Sequence, residues 1–115
     1  MARGDVVLVR LPMPASASGH EQAGTRPAVA VQADRAETQL PTTIVVPCTG
    51  RLQALRFPHT ILIQPSDMNG LTQPSVLLVF QLRVVDKQRI VRSIGRLDQG
   101  DLENLEKEMR LVLRL

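Results

Sequence analysis

Aromatic side chains are scarce in this chain of 115 residues. It contains Phe57 and Phe80 but no Trp and no Tyr, so aliphatic side chains must supply the core. The scarcity also limits any nucleic-acid site that works by stacking bases on a row of aromatic rings. Such a site must depend on other contacts.

Cysteine and long apolar runs are scarce as well. The single Cys48 rules out an internal disulfide and a multi-cysteine metal cluster, which is typical of a reducing compartment. Asp5 follows the start too closely for a secretory signal, and no apolar run approaches the roughly 20 residues of a membrane-spanning helix. We therefore expect a cytoplasmic protein without a membrane segment.

The length and the composition indicate one domain over residues 1–115. Hydrophobic residues make up 43% and charged residues 22%, enough for a modest core and against disorder. The net charge of +3 is too small to establish a polyanionic partner. A basic stripe is present nonetheless: Arg83, Lys87, Arg89, Arg92 and Arg96 accompany a single acid, Asp86. The stripe is compatible with phosphate binding and equally with a solvated strand face.

The hydrophobic pattern predicts short strands followed by one helix. We expect strands at 5–11, 27–33, 42–47, 58–64, 75–85 and 90–97, with 75–85 as the central strand, buried on both faces at its start. Apolar residues then recur at intervals of 3 to 4 residues from Leu102 to Val112, which predicts an amphipathic helix over about 99–113, with Asp98 near its N-cap. The fold class is mainly β with a C-terminal helix, as a small curled antiparallel sheet or barrel.

A long connection joins the first two predicted strands. It spans about 15 residues and contains two prolines and many small residues, and connections of this length are often functional. We expect a flexible flap over the site. Its end, residues 19–27, gathers His20, Glu21, Gln22, Thr25 and Arg26, a set of polar groups on a loop held by strands.

Three motifs, in order along the chain, carry a resemblance to a known family. They are Gly4-Asp5 with Gly19-His20-Glu21-Gln22, Gly24 and Arg26-Pro27-Ala28; then Ile44-Val45-Val46-Pro47-Cys48-Thr49; and then Gln81-Leu82-Arg83-Val84-Val85-Asp86-Lys87. They resemble the signature of the MazF/PemK family of toxin endoribonucleases over nearly the whole chain. Three motifs in order at compatible separations are far more specific than any one of them.

The resemblance implies a fold, an activity and partners. The fold would be an SH3-like barrel that forms a two-fold homodimer, with an RNA groove along the subunit interface. The activity would be cleavage of single-stranded mRNA without metal or cofactor, by attack of the ribose 2′-OH to leave a 2′,3′-cyclic phosphate and a 5′-OH. The partner would be an antitoxin of the MazE kind, whose acidic, disordered tail folds on binding.

The resemblance also assigns candidate catalytic residues, which are Arg26, Thr49 and His20. A guanidinium suits phosphate bidentately, so Arg26 is the first candidate, although an Arg here is also compatible with a surface ion pair. Some family members use the His with an Asp and an Arg of the central strand. Leu78 and Phe80 occupy those positions here. We therefore favour a mechanism that uses Arg26 with Thr49 over one that uses the His with an Asp.

A larger set suits RNA recognition, because unpaired bases expose edges that carboxylate, carboxamide and guanidinium groups can pair with. The candidates are Glu21, Gln22, Gly24, Arg51, Arg56, Phe57, Pro58, His59, Gln81 and Arg83. Phe57 is compatible with a stacking surface or with the core. Phe80 replaces the family's usual acid beside Gln81, which we expect to alter base preference.

Two other functions and one structural choice remain open from the sequence. A toxin of the CcdB kind, acting on DNA gyrase without catalysis, shares this architecture, but its C-terminal Trp-Gly-Ile is missing. An RNA-binding module without turnover would fit the missing Asp and Arg.

Leu111, Leu113 and Leu115 lie off the main apolar face of the helix, so they would bury surface either between subunits or in a wide core-facing stripe.

Overall fold

The computed structural model describes residues 1–11, 24–33 and 39–115. Most of the predicted flap lies outside these residues, and so do His20, Glu21 and Gln22.

The described residues form seven strands and one α-helix, with three short 3-10 helices between them. The strands are β1 (Asp5–Leu11), β2 (Gly24–Ala30), β3 (Thr42–Thr49), β4 (Thr60–Ile63), β5 (Ser75–Leu78), β6 (Arg83–Asp86) and β7 (Ile90–Arg96), and the helix is α1 (Gln99–Leu113). The 3-10 helices are Leu52–Arg56, Val79–Gln81 and Lys87–Arg89. The mainly β class with a C-terminal helix is confirmed.

These strands pair antiparallel and build one curved sheet around β3. The order is β4-β5-β3-β2-β1-β7, and β6 also pairs with β3. Within the described part of the chain no ladder joins β4 to β7, so the sheet curls without closing into a fully hydrogen-bonded barrel. β3 is therefore the strand that links the two halves of the sheet.

The run 75–85, predicted from its apolar residues as one continuous strand, is interrupted. β5 pairs with the end of β3 through Cys48–Leu77, and β6 pairs with its beginning through Val45–Arg83. Between them the 3-10 helix Val79–Gln81 breaks the ladder. The break lies alongside Pro47, which has no N–H to donate to a neighbouring strand. The expected burial at the start of the run is confirmed, since all four residues of β5 are buried.

The second strand begins earlier than the sequence pattern predicts. β2 starts at Gly24, and its ladder with β1 includes Arg26 opposite Val9 and Pro27 opposite Leu8. Pro27 is tolerated because the ladder with β3 begins one residue later, at Ala28. The physical consequence is that Arg26 is held by a strand rather than by a loop.

The sheet buries apolar side chains on both faces. One cluster includes Val6, Val46, Leu77 and Leu105, and α1 packs on this face through Leu102, Met109 and Val112. The other face carries a second cluster, which contains Val7, Val9, Leu11, Ala28, Val45 and Val85. We call this second side the distal face, because it is the side away from α1.

The C-terminal helix matches the sequence prediction closely. Asp98 is its N-cap, and the side chain accepts a hydrogen bond from the N–H of Asp101 at 2.7 Å. Arg114 ends it in the left-handed conformation. Leu111, Leu113 and Leu115 are 55%, 49% and 86% exposed, so the core-facing alternative for these leucines is wrong.

Asn69 organises the turn between β4 and β5. Its Oδ1 accepts from the N–H groups of Ser66 and Leu71 at 3.0 and 2.9 Å, and its Nδ2 donates to Gln64 O at 2.9 Å. The side chain is only 3% exposed. In this turn the positive φ, +71°, belongs to Gly70 rather than to Asn69. The buried carboxamide therefore replaces several backbone hydrogen bonds of the turn.

Candidate active site

Arg26 and Thr49 occupy matching positions on neighbouring strands. In the β2–β3 ladder Ala28 pairs with Pro47, and the strands are antiparallel. Arg26 lies two residues before Ala28, and Thr49 lies two residues after Pro47. Because side chains alternate along a strand, both residues belong to the side of the sheet that carries Ala28, the distal face. The register thus assigns a guanidinium and a hydroxyl that are far apart in sequence to one face of the sheet.

Thr49 is the last residue of β3 and is held firmly. Its side chain is 6% exposed, and its Oγ1 accepts a hydrogen bond from the N–H of Arg51 at 3.2 Å. A hydroxyl that accepts one bond still has a hydrogen to donate, so Thr49 can hold a phosphate oxygen without giving up this contact. The sequence pattern places Thr49 after the strand, whereas the strand includes it.

Gly24 has a conformational reason to be glycine. Its φ is +83°, and an added Cβ would meet no atom of the described residues within 4 Å. The left-handed backbone at the start of β2 therefore favours glycine at this position.

Arg83 belongs to the same face as Arg26 and Thr49. It pairs with Val45 across the β3–β6 ladder, and Val45 is part of the distal cluster. Val45, the partner of Arg83, lies four residues before Thr49 on β3. Arg83 and Thr49 are therefore about 13 Å apart along the strand direction. Gln81 ends the 3-10 helix two residues before Arg83. These predicted RNA-binding residues thus follow one another along one edge of β3.

The loop after β3 carries five of the predicted RNA-binding residues. Arg51, Arg56 and Pro58 are exposed, whereas Phe57 and His59 are half-buried. The guanidinium carbon of Arg56 lies 5.0 Å from the centre of the Phe57 ring, within cation–π range. Nδ1 of His59 is 2.8 Å from Oε1 of Glu108 on α1. His59 is thus fixed to the helix, a contact that no local sequence pattern indicates.

A cleft of about 410 Å³ opens beside the end of β1 and is lined by Arg10, Asp86, Gln88 and Arg89. The Asp86 carboxylate accepts from the N–H of Gln88 at 2.8 Å, so this acid is part of the turn. Arg10 pairs with Thr25, the neighbour of Arg26, across the β1–β2 ladder. Arg10 is not among the residues that the sequence singles out, because its proximity to Arg89 depends on the fold.

Cys48 is packed rather than reactive. The side chain is 1% exposed, and burial raises the pKa of its thiol to about 12. The thiolate, which is the nucleophilic form, is therefore suppressed at neutral pH. Cys48 contributes to the core beside Thr49 and not to the chemistry.

Neither a metal cluster nor a membrane span is found in the described residues. Over residues 1–11, 24–33 and 39–115, no group of three or more His, Cys, Asp or Glu side chains is arranged to hold a metal ion. In the same residues no helix is long and apolar enough to cross a membrane.

Known proteins resemble this chain in sequence and in fold. It is 33% identical over 115 residues to endoribonuclease MazF of Staphylococcus saprophyticus, covering 100% of this chain and 92% of that protein. It is 32% identical over 113 residues to endoribonuclease EndoA of Bacillus subtilis, covering 98% and 94% respectively. Among solved structures, MazF from Deinococcus radiodurans shares the fold, with a TM-score of 0.81 at 21% identity over 100% of this chain and 97% of that one.

The fold and the sequence together define a small toxin of a toxin-antitoxin pair. The chain belongs to the family of PemK-like, MazF-like toxins of type II toxin-antitoxin systems, which matches residues 2–113. The resemblance found in the sequence motifs is confirmed. The family match does not favour the gyrase-directed alternative.

Proposed function

We propose that this toxin is a sequence-specific, metal-independent endoribonuclease that cleaves single-stranded mRNA. The observation that supports the proposal is the pairing of Ala28 with Pro47, from which Arg26 and Thr49 each lie two residues away, on one face of the sheet. The names of the relatives from Staphylococcus saprophyticus and Bacillus subtilis, both endoribonucleases, support the reaction class.

The reaction is an internal transfer at phosphorus. The ribose 2′-oxygen forms a bond to the adjacent phosphorus, the bond from phosphorus to the 5′-oxygen breaks, and a 2′,3′-cyclic phosphate and a 5′-OH result. The 2′-OH proton passes to a base, and the leaving 5′-oxygen gains a proton. Negative charge builds on the phosphoryl oxygens, so donors placed around them lower the barrier.

Arg26 and Thr49 supply such donors. A guanidinium stays charged at physiological pH and presents parallel N–H groups, which suits two phosphoryl oxygens at once. Thr49 donates its hydroxyl hydrogen to the same phosphate, and its oxygen is oriented by the N–H of Arg51. His20, which lies outside the described residues, is the candidate for proton transfer because imidazole titrates near neutral pH.

Recognition of RNA follows from the side chains around this pair. Arg83, Gln81 and the loop 51–59 extend from the catalytic position along β3, and Glu21 and Gln22 are the remaining candidates for contacts to base edges.

The partners follow from the family and from the exposed apolar surface. A toxin of a type II system has a cognate antitoxin, and a MazE-like acidic tail would complement the basic residues of the segment 89–96. Leu111, Leu113 and Leu115 are the candidates for the contact within a homodimer, since they are exposed in the single chain. The cytoplasm, where mRNA lies, is the expected location.

Cleavage of a long mixed-sequence RNA in EDTA tests the proposal. Sequencing of the ends should locate a short recurrent site, with a 2′,3′-cyclic phosphate on one fragment and a 5′-OH on the other. Arg26→Ala should abolish the cleavage, whereas Arg110→Ala, which changes an exposed arginine on α1, should not. Absence of cleavage by the wild type, equal cleavage by Arg26→Ala, or 3′-OH ends would each refute the proposal.

A second candidate, an RNA-binding module without turnover, has one observation in its favour. Leu78 and Phe80 occupy the positions where some members of the family have an Arg and an Asp, and Leu78 is 2% exposed and so is used for packing. This candidate predicts that the wild type retains RNA that remains intact, which the same experiment would reveal.

A further inference from the structure

The two phenylalanine rings of the chain lie against each other. The centroids of Phe57 and Phe80 are 5.6 Å apart, and the ring planes are inclined at 57°. Phe80 is 38% exposed, although Val79 beside it is completely buried. More than a third of the surface of Phe80 is therefore accessible to a ligand.

The two segments that carry these rings are locked together by backbone hydrogen bonds. The N–H of Val79 donates to His59 O at 3.1 Å, which joins the turn of Phe80 to the loop of Phe57. Within the loop, Thr60 Oγ1 donates to Phe57 O at 2.9 Å. The ring pair is therefore preorganised, so little entropy is lost in ordering it when a ligand binds.

His59 connects this arrangement to the helix. Its backbone adopts a φ of +60°, a conformation that costs about 1 kcal/mol or more outside glycine, and its Nδ1 is 2.8 Å from Oε1 of Glu108. A residue keeps a strained backbone conformation only where the contacts around it hold it there. Here the carbonyl accepts from the N–H of Val79 and the imidazole contacts Glu108, so His59 joins the segment of Phe80 and the loop of Phe57 to α1.

We propose that Phe80, supported by Phe57, stacks against one unpaired base of the single-stranded RNA. This rests on the proposed function and adds a specificity-determining residue to it. Guanidinium groups of Arg51 and Arg56 lie in the same loop, and their positive charge complements the phosphates on either side of the stacked base. An exposed aromatic ring beside cations suits a nucleic-acid strand better than an apolar peptide.

The absence of Trp makes the stacking directly measurable. Phe80→Trp places one indole at the proposed platform, and Met68→Trp places one in the exposed turn after β4 as a control. The probe is a short 2′-O-methyl RNA, which cannot be cleaved by 2′-OH attack, copied from a mapped cleavage site. Binding should quench and shift the indole emission of the Phe80→Trp protein and leave that of the Met68→Trp protein unchanged. Replacing the stacked nucleotide by an abasic one should remove the quenching.

Affinity for a fluorescently labelled copy of the same RNA gives a second measurement. Phe80→Ala and Phe80→Leu should each weaken binding by about 5- to 100-fold, the usual range for one lost base stack, whereas Phe80→Trp should retain it. Loss in Phe80→Ala but full retention in Phe80→Leu would mean that apolar volume rather than stacking matters, and would overturn the proposal.

The role of His59 as a positioning residue is tested in the Phe80→Trp protein. Adding Glu108→Ala should reduce the quenching of the indole by RNA while the protein remains folded by circular dichroism. Glu106→Ala, on the same helix and paired with Arg3 instead, is the matched control and should not reduce it. Equal quenching in both variants would show that the contact between His59 and Glu108 does not position the rings.

The outcomes separate this inference from the proposed function. Cleavage of RNA without any change in the indole emission of the Phe80→Trp protein would overturn the stacking platform and leave the nuclease intact. If the wild-type protein cleaves no RNA, the probe is a mixed-sequence single-stranded RNA instead, and quenching of the emission by that RNA would refute the nuclease and support the platform. An emission change that follows protein concentration rather than RNA would assign the ring pair to a subunit contact and overturn the proposal.

Discussion

Arg26 on β2 and Thr49 on β3 each lie two residues beyond the paired residues Ala28 and Pro47, on the same face of the sheet. The shared face of these two side chains does not depend on a loop or turn next to either residue. The register is set by the apolar side chains of the distal face, because a slip of one residue would move Val45 and Ala28 out of their cluster. The core of the protein therefore determines that the two candidate catalytic residues share a face of the sheet.

The shape of the guanidinium at position 26 should matter as well as its charge. Arg26→Lys keeps the charge but loses the planar fork, so we expect cleavage to fall by at least about 10-fold, against about 100- to 1,000-fold for Arg26→Ala. Single-turnover cleavage rates would measure both. A lysine variant with full activity would show that charge alone is needed and would contradict the bidentate clamp.

The thiol of Cys48 should be inaccessible and should affect stability only at alkaline pH. A thiol reagent at mildly alkaline pH should label it in denaturant but not in the folded protein. Because burial raises the folded pKa to about 12 from 9.0, the folded state holds the proton more tightly. Its contribution to stability is complete below the unfolded pKa of 9.0 and is lost as the pH rises towards about 12. The loss is at most about 1.4 kcal/mol per pH unit.

Urea unfolding of Cys48→Ala provides the comparison. This variant lacks the titration, so its unfolding free energy should fall less steeply than that of the wild type above the pKa of an unfolded thiol, whatever their difference at neutral pH. Parallel curves through this alkaline range, or rapid labelling of the native protein, would show that the thiol is not buried as described.

Asn69 should contribute strongly to stability although it lies outside the candidate site. Asn69→Ala leaves the N–H groups of Ser66 and Leu71 and the carbonyl of Gln64 without their partner. The Leu71 N–H is buried and the other two groups are part-buried, and a buried group without a partner costs about 1–3 kcal/mol, so we expect a loss of about 2–4 kcal/mol in the unfolding free energy. Urea titration would measure it, and the neighbouring exposed Asp67→Ala, which should stay within about 0.5 kcal/mol, is the control.

The C-terminal leucines should control subunit association. Leu111→Gln keeps a good helix former but removes apolar area from each subunit, so we expect the dimer dissociation constant to rise by at least about 10-fold. Sedimentation equilibrium would measure it. Met68→Gln changes a residue that is 51% exposed in the turn between β4 and β5, and it should leave association unchanged. Unaltered association of the Leu111 variant would place the dimer contact elsewhere.

Local signals in the sequence are enough for the elements that depend on local chemistry. The helix is predicted correctly because its apolar spacing and its Asp98 cap act within a few residues. The burial of β5 follows from an uninterrupted apolar run. The bounds of β1 agree with the prediction to the residue, since a β-branched run ends there at Pro12.

Features that depend on partners distant in sequence cannot be predicted in this way. Arg26 lies in β2 because β1 offers a ladder that extends past Pro27, which no local pattern reveals. The 3-10 helix Val79–Gln81 lies between β5, which pairs with the end of β3, and β6, which pairs with its beginning. Only the folded chain shows this change of pairing. The contacts of Phe57 with Phe80 and of His59 with Glu108 join residues whose proximity exists only in the folded chain.

A double-mutant cycle on Arg26 and Thr49 tests the central claim most directly. Single-turnover cleavage would be measured in EDTA for the wild type, Arg26→Ala, Thr49→Val and the double variant, with Thr49→Ser as the control that keeps the hydroxyl. If both groups act on one phosphate, each single change lowers the rate by about 100-fold or more, and the double variant is only a few-fold slower than the worse single one. Losses that multiply, or a Thr49→Val protein as active as the wild type, would contradict the account.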